Sequence, residues 1–227
     1  MPDISKSSQI YELVLQRLVC AEYGFGQRIL VKEIAQETGA SRHPIMSALN
    51  HLRADGFVRV VPQVGCEVIR PTDQQIADFF LMFQRMEGLL AELAAQRRTQ
   101  MQMRDLKSIQ RELRRLEDTE ESVAQYVELN RRFHHALHEM AHSPMLDDKQ
   151  RNNFNMCDFF ITHTSGFSSF RADAVSEHEQ IISAIELGQA ERARLVAEAH
   201  IAAIAGSVIA ALREADAPAR IAHAGSS

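Results

Sequence analysis

The sequence predicts a mainly α-helical protein in two parts: three short helices with a small β-hairpin, followed by an antiparallel all-α bundle. Two observations support this fold class. The apolar pattern has a helical period up to about residue 54, changes to short β runs over residues 57–70, and is helical again afterwards. The composition, 45% hydrophobic and 24% charged, is that of an ordinary globular protein, and 227 residues are long enough for one large domain or two modest ones.

Three short helices are predicted before the β runs. Apolar residues recur at helical spacing over residues 10–21 and again over residues 30–38. Gly39 favours a turn, and Ser41 is a suitable N-cap for a third helix over residues 41–54.

The segment after the third helix has the pattern of a β-hairpin. The runs FVRVV (residues 57–61) and CEVIR (residues 66–70) flank PQVG, in which Gly65 allows a tight turn. Two helices joined by a glycine turn and followed by a hairpin are the order of a winged helix-turn-helix. We therefore predict this fold over residues 8–71, behind a flexible arm at residues 1–7.

The third helix has the surface expected of a helix that reads DNA. Its apolar residues Ile45, Leu49 and Leu52 form one stripe, which leaves a mixed polar face outward. A plain solvated helix surface is the alternative. The charge distribution favours DNA, because the first 71 residues carry eight basic against seven acidic residues, whereas the rest of the chain is net acidic. The predicted DNA-binding residues of this helix are its N-cap Ser41 and the outward-facing Arg42, His43, Met46, Asn50 and Arg53.

The sequence LVKEIAQETGASRHPIMSALNHLRADGFVRVVPQVGCEV resembles the DNA-binding domain of the GntR family of bacterial regulators. This resemblance implies that Lys32, Arg42 and the wing around Gly65 touch DNA. Where the family often has an Arg-Glu pair, this chain has Met46 and Ser47. Met46 cannot supply the charged contact, so the family's operator preference does not transfer.

The rest of the chain is predicted to form a helical bundle. A linker at residues 72–75 leads into a domain over residues 76–213, and a tail at residues 214–227, poor in large apolar residues, is predicted to be disordered. The predicted helices cover residues 74–98, 102–118, 121–141, 145–163, 172–187 and 189–213.

Three of these helices place a histidine in the middle of an apolar stripe. His134 lies one turn after Asn130 on such a stripe, and His178 and His200 occupy the same kind of position on two later helices. A single histidine of this kind is usually a core residue with a backbone or water partner. Three neutral imidazoles that converge in a bundle suit a divalent transition metal such as Zn or Ni.

The segments VELNRRFHHALHEMAHSPML, SEHEQIISAIELGQAERA and AEAHI resemble the FCD effector domain of FadR-type GntR regulators. In that family an Asp and three His bind a metal, and a small carboxylate effector is held beside it. The resemblance assigns the three histidines to His134, His178 and His200, and the Asp position to Asn130, which also lies beside the effector. It implies that Arg85, in FQRMEGLLAELAAQR, faces the effector; a surface ion pair of Arg85 with Glu87 or another acid is the alternative.

The cysteines and the hydropathy of the sequence indicate the cellular compartment. The three cysteines are odd in number and far apart, which argues against a disulfide framework and a thiolate metal site. The N-terminus lacks the order of a signal peptide, and the longest uncharged run, residues 199–212, is short for a membrane span. We therefore expect a cytoplasmic protein with no membrane association.

These patterns lead to one favoured function and two alternatives. The favoured function is a non-enzymatic, homodimeric transcriptional regulator that binds double-stranded operator DNA and responds to a small organic acid. A metal-dependent hydrolase with a three-histidine site is the first alternative, although Glu177 and Glu179 fall off the inward stripe and leave no evident general base. A bundle that serves only for dimerisation, with internally bonded histidines, is the second. His135, His138, His142 and His163 are predicted at the surface or at a pocket rim.

Overall fold

The computed structural model describes residues 5–61, 65–117 and 119–224, with side chains as far as residue 214. The chain forms two compact units. Unit 1 contains the residues up to Thr72 together with Asp158–His163, and unit 2 contains Asp73–Cys157 and the residues from Thr164 onward. Unit 1 holds a small antiparallel sheet and unit 2 is helical, which confirms the predicted fold class.

Unit 1 has the predicted order of three helices and a hairpin. The elements are α1 (Lys6–Val19), β1 (Arg28–Ile29), α2 (Val31–Thr38), α3 (Arg42–Ala54), β2 (Val58–Val61) and β3 (Gly65–Val68). Between α2 and α3, Gly39 adopts a left-handed conformation with φ of 63°, which favours glycine and ends α2. The core consists of fully buried apolar side chains from every helix and from the start of the hairpin: Ile10, Val14, Leu18, Ile34, Ile45, Leu49, Leu52 and Phe57.

The sheet contains one strand more than predicted. Strand β3 lies between β1 and β2, with antiparallel pairing on both sides, and Glu67 is opposite both Arg28 and Arg59. Arg59 Nε donates to Glu67 Oε1 at 2.6 Å across the hairpin. The sequence pattern did not reveal β1 because two residues are too few to show an alternating period. The predicted turn residues 62–64 lie outside the described residues.

Three predicted boundaries of unit 1 require correction. Helix α1 already begins at Lys6, because the Ser5 hydroxyl accepts a hydrogen bond from Ser8 N and caps the helix; residues 1–4 of the predicted arm lie outside the described residues. The predicted linker is shorter, since a helix starts at Asp73. The predicted domain boundary near residue 72 also leaves out Asp158–His163, which belongs to unit 1 although it comes much later in the chain. In this segment Phe159 contacts Phe57, with ring centroids 5.6 Å apart.

In the described part of the chain, unit 2 contains five whole helices, a 3-10 turn at Glu120–Ser122, and a sixth helix whose residues from Asp158 onward belong to unit 1. Helix α4 packs along α9, and both contact α8; α6 packs against α4 and α5. Gly88 allows the close approach of α4 and α9, because a Cβ there would lie 2.5 Å from Glu198 Cγ. The helices are α4 (Asp73–Arg97), α5 (Gln100–Arg115), α6 (Val123–Met140), α7 (Pro144–Thr162), α8 (Arg171–Glu186) and α9 (Ala190–Ala224).

Helix α9 is longer than predicted. The disordered tail predicted from residue 214 is wrong as far as Ala224, since the helical backbone continues to that residue. This segment has several alanines, which favour a helix, and also contains Pro218, which disfavours one. By length and composition, Ala190–Glu214 would suffice to cross a membrane. The same stretch, however, buries His200 and the apolar residues of one face in the bundle.

Candidate DNA-binding surface and metal centre

The predicted DNA-binding residues lie on the surface of unit 1. Arg42 and His43 are exposed at the start of α3, and Lys32 is exposed at the start of α2. Asn50, Arg53 and Gly65 are also exposed, whereas Met46 is half-buried. Ser41 is the N-cap residue of α3, as predicted, but its side chain makes no cap hydrogen bond, so its hydroxyl is not committed to the helix end. These placements are compatible with contacts to DNA, and the contacts themselves stay predictions.

The three predicted histidines converge in the bundle. His134 on α6, His178 on α8 and His200 on α9 are buried, and each offers a nitrogen that lies within 4.8 Å of the others. A metal with bonds of about 2.0–2.1 Å holds its ligand nitrogens roughly 3–3.5 Å apart, so small ring movements would close the cluster on an ion.

Several buried polar atoms of these three histidines, and one of Asn130 one turn before His134 on α6, have no hydrogen-bond partner among the described residues. They are Nε2 of His134, both ring nitrogens of His178, Nε2 of His200 and Oδ1 of Asn130. Leaving a buried polar atom unpaired costs about 1–3 kcal/mol, so a concentration of five such atoms requires an explanation. A divalent cation would satisfy four of these atoms together, because a neutral imidazole offers one lone pair per ring and an amide oxygen is a suitable ligand; the other nitrogen of His178 carries the ring proton. The residues present therefore fit a metal.

Hydrogen bonds fix which nitrogen of two histidines faces the cluster. His134 Nδ1 lies 2.6 Å from Glu87 Oε1, and His200 Nδ1 lies 2.7 Å from Glu177 Oε2. An ionised carboxylate only accepts, so the proton is on Nδ1 in each ring and Nε2 keeps its lone pair. The ring of His178 is held differently: it stacks on Phe133 with centroids 4.0 Å apart and an interplanar angle of 7°.

A second group of possible ligands, Glu87, His134 and His138, does not need a metal. Glu87 is completely buried and accepts hydrogen bonds from His134 Nδ1, from His138 Nε2 at 2.8 Å and from Gln150 Nε2 at 2.8 Å. These separations are those of direct hydrogen bonds and are shorter than the spacing of two ligands on one ion. The group is therefore an internally bonded network beside the metal candidate.

Burial and charge set the protonation states in this region. Burial opposes ionisation of Glu87, but His138 and His134 together hold the pKa of its carboxyl well below its usual range. Burial would also lower the pKa of His138, yet the charges and hydrogen bonds of Glu87 and Asp147 raise it to about 9. Burial lowers the pKa of His134 to about 4 despite Glu87, and burial with the neighbouring His200 and His134 lowers that of His178 well below its usual range. His134 and His178 are thus neutral, as metal ligands must be.

These pKa directions predict that the metal-free protein loses stability in mild acid. The unfolded chain protonates His134 near pH 6.5, whereas the folded chain does so only near pH 4. The contribution of neutral His134 to the free energy of unfolding is therefore full above pH 6.5 and is lost as the pH drops from 6.5 toward 4. His178 acts in the same direction, while His138, with a raised pKa, opposes the change by less than about 1 kcal/mol between pH 7 and 5. We expect urea unfolding with chelator to give a free energy on the order of 2 kcal/mol lower at pH 5 than at pH 7. Equal stability at both pH values would contradict this.

The structure corrects three placements made from the sequence. Arg85, expected to face an effector pocket, is 62% exposed and pairs with Glu198, so the alternative of a surface ion pair is confirmed with a different acid. His138, expected at the surface or rim, is buried in the Glu87 network. Glu177, expected off the inward stripe, reaches His200.

Glu87 is the site residue that the sequence analysis missed. It lies on the apolar stripe Ile76, Phe80, Phe83, Glu87, Leu90 of α4, all buried in the structure. Arg85, two residues earlier, is rotated by about 200° on the helix and so points to the opposite side. The sequence feature that could have identified Glu87 is therefore a carboxylate in the middle of an apolar helical stripe. The three histidines were found by the same kind of pattern, a polar residue at an apolar position.

Comparison with known proteins places both units in one family. Residues 6–68 match the model of bacterial regulatory proteins of the gntR family, and residues 78–203 match the FCD domain. An uncharacterized HTH-type transcriptional regulator, YdhC of Bacillus subtilis (strain 168), is 22% identical over 200 residues, which cover 85% of this chain and 86% of YdhC.

Solved structures share the fold. E. coli McbR/YncC superposes with a TM-score of 0.72 at 18% identity, covering 93% of this chain and 99% of that one. A GntR protein from Rhodococcus sp. RHA1 gives a TM-score of 0.73 at 16% identity, covering 91% and 98% of the two chains. The family matches are to regulators and not to enzymes, which argues against the hydrolase alternative. With a gntR-type DNA-binding domain and an FCD domain that spans more than half of its length, this chain belongs to the GntR family of bacterial transcriptional regulators.

Proposed function

We propose that this regulator binds a divalent transition metal through His134, His178 and His200, and that the metal holds a small carboxylate effector that modulates operator binding. The main support for this proposal is that buried histidine nitrogens on three helices lie close together and have no hydrogen-bond partner among the described residues. Asn130 Oδ1 would be a fourth, neutral ligand. When bound, the ion supplies a positive charge and an open coordination position inside the bundle.

The position of Arg85 supports the metal as the effector's anchor. Because Arg85 is exposed and paired with Glu198, its guanidinium does not line the bundle interior. In the described part of the chain the buried arginine is Arg171, which donates to Ser122 Oγ and to the Glu117 carbonyl and is thus already engaged. The ion with neutral ligands would be the strongest local attraction for a carboxylate.

The alternative of a bundle that serves only for dimerisation has partial support. Glu87 and Glu177 satisfy one nitrogen each of His134 and His200, as internal bonding would require. The remaining nitrogens argue against it, because a core selected only for packing would not leave them unpaired. Metal analysis of the purified protein separates the two, since the dimerisation alternative predicts no stoichiometric metal.

DNA binding is proposed to use the exposed start of α3, with Ser41, Arg42 and His43, and the further exposed residues Asn50 and Arg53. Lys32 on α2 and the wing at Gly65 would make further contacts to DNA, and Met46 would add an uncharged contact. We propose that a homodimer presents two such surfaces to a two-fold operator in the cytoplasm. Effector binding would change the affinity for that operator, which makes the coupling allosteric.

The effector should require the metal and not Arg85. We expect a set of small hydroxy and dicarboxylic acids to contain members that raise the melting temperature of zinc-loaded protein, and the same acids to have no effect after chelation. Arg85→Ala should respond like the wild type. A carboxylate response that persists without metal, or that disappears in Arg85→Ala, would show that the effector binds elsewhere. Gel shifts with and without the active acid then test its effect on operator binding.

A further inference from the structure

The three candidate ligands differ in how the rest of each ring is held. His134 and His200 each have a carboxylate on Nδ1, Glu87 and Glu177 respectively. The ring of His178 stacks on Phe133, and neither of its nitrogens has a hydrogen-bond partner among the described residues. A ligand with a carboxylate on its outer nitrogen has a fixed tautomer and a fixed ring orientation, and it is a stronger electron-pair donor.

Glu87 is held far more firmly than an ordinary partner of this kind. Its carboxylate is fully buried on α4 and accepts from three donors, His134 and His138 on α6 and Gln150 on α7. Both oxygens are used, and donors from two helices act on them, so the carboxylate cannot rotate away from His134. Glu177, in contrast, has a side chain that is 30% exposed to solvent.

The four candidate ligands bring no negative charge. Three neutral imidazoles and the Asn130 amide leave a divalent ion without a carboxylate in direct contact, which weakens binding unless the imidazoles are strong donors. Glu87, through its 2.6 Å hydrogen bond to His134, is the buried carboxylate placed to strengthen one of them.

We propose that Glu87 is the positioning residue of the metal centre: it fixes the Nδ1–H tautomer of His134, directs Nε2 to the ion and raises the donor strength of the ring in place of a ligating carboxylate. This inference rests on the proposed metal site. Glu177 has the same role for His200 with a smaller effect, because its carboxylate is partly solvated and less fixed.

Metal affinity tests the proposal. We expect Glu87→Gln to bind Zn²⁺ and Co²⁺ about 10- to 100-fold more weakly than the wild type in a chelator competition, with a changed visible spectrum of the cobalt form. Glu177→Gln should lose less affinity. Glu92→Gln is the matched control: it removes the same charge from the same helix, but Glu92 faces Arg194 and not the histidines, so its affinity should equal that of the wild type.

The outcomes distinguish this inference from the proposed function. A Glu87→Gln protein that binds both ions within twofold of the wild type, with an unchanged cobalt spectrum, overturns the role of Glu87 while the metal site stands. A wild-type protein that binds neither ion overturns the metal site itself, and the inference with it.

A second measurement needs no variant of Glu87 and therefore does not depend on its folding. In wild-type protein with ¹⁵N-labelled histidine and no metal, two-bond proton–nitrogen correlation spectra report the tautomer of each ring. We expect His134 and His200 to carry the proton on Nδ1 and the Nε2 resonances to shift when zinc is added, with His134→Ala and His200→Ala used for assignment. A His134 ring protonated on Nε2 instead would overturn the proposal.

Discussion

Replacement of His178 by alanine is expected to abolish the stabilisation of the protein by zinc. A metal present at about a thousand times its dissociation constant adds roughly 4 kcal/mol to the folded state, which raises the melting temperature of a domain of this size by on the order of 10 °C. Removal of one of three histidine ligands should remove most of this shift. The measurement is a thermal melt with chelator and with zinc.

The metal-free melt of the same variant separates a ligand from a packing residue. His178 is completely buried and neither of its ring nitrogens has a partner among the described residues. Its removal relieves an unpaired polar group but leaves a cavity beside Phe133, and the two effects oppose each other. We therefore expect little change without metal. A large loss of metal-free stability, with the zinc shift intact, would identify His178 as a core residue only; His135→Ala, a half-buried neighbour of the cluster on α6, is the control.

Replacement of Arg42 by alanine is expected to weaken operator binding about 10- to 100-fold. Arg42 is exposed at the first residue of α3, where a recognition helix contacts base edges or phosphates, and loss of one such contact costs about 1–3 kcal/mol. Fluorescence anisotropy with a duplex selected from random sequences by the wild-type protein would measure the effect. Arg104→Ala, which removes an exposed arginine from α5, is the matched control.

The salt dependence of the Arg42→Ala variant shows what the side chain contacts. If Arg42 binds a phosphate, the slope of affinity against salt falls by about one and all sequences weaken alike. If it binds a base, the preference at one operator position relaxes instead. Affinity equal to that of the wild type on the selected duplex would contradict the placement of α3 as the recognition helix.

Sequence periodicity was sufficient for most of the fold. It located the helices of both units, the glycine turn before α3 and the strands of the hairpin, because each of these segments is long enough to show its apolar period. It failed where the period is absent: β1 has two residues, and the segment in which α9 continues to Ala224 has no apolar stripe.

The helical period identified only part of the candidate site. It brought His134, His178 and His200 together, since each is a polar residue on an apolar stripe. The resemblance to the family implied an inward-facing Arg85, which is exposed in the structure, and Glu87 was overlooked although the apolar stripe of α4 includes position 87. On α4 the helical period by itself indicates the carboxylate of Glu87 and not the arginine.

The sequence by itself determined the family, the two-part architecture and the identity of the three converging histidines, because family motifs and apolar periods are local properties of the chain. Only the tertiary structure decided which ring nitrogens of those histidines are engaged in hydrogen bonds and which are left without a partner among the described residues. The hydrogen bonds of Glu87 and Glu177 occupy one nitrogen on each of two rings, and stacking on Phe133 orients the third. These contacts join residues far apart in the chain, and no local pattern encodes the orientation of one ring relative to another.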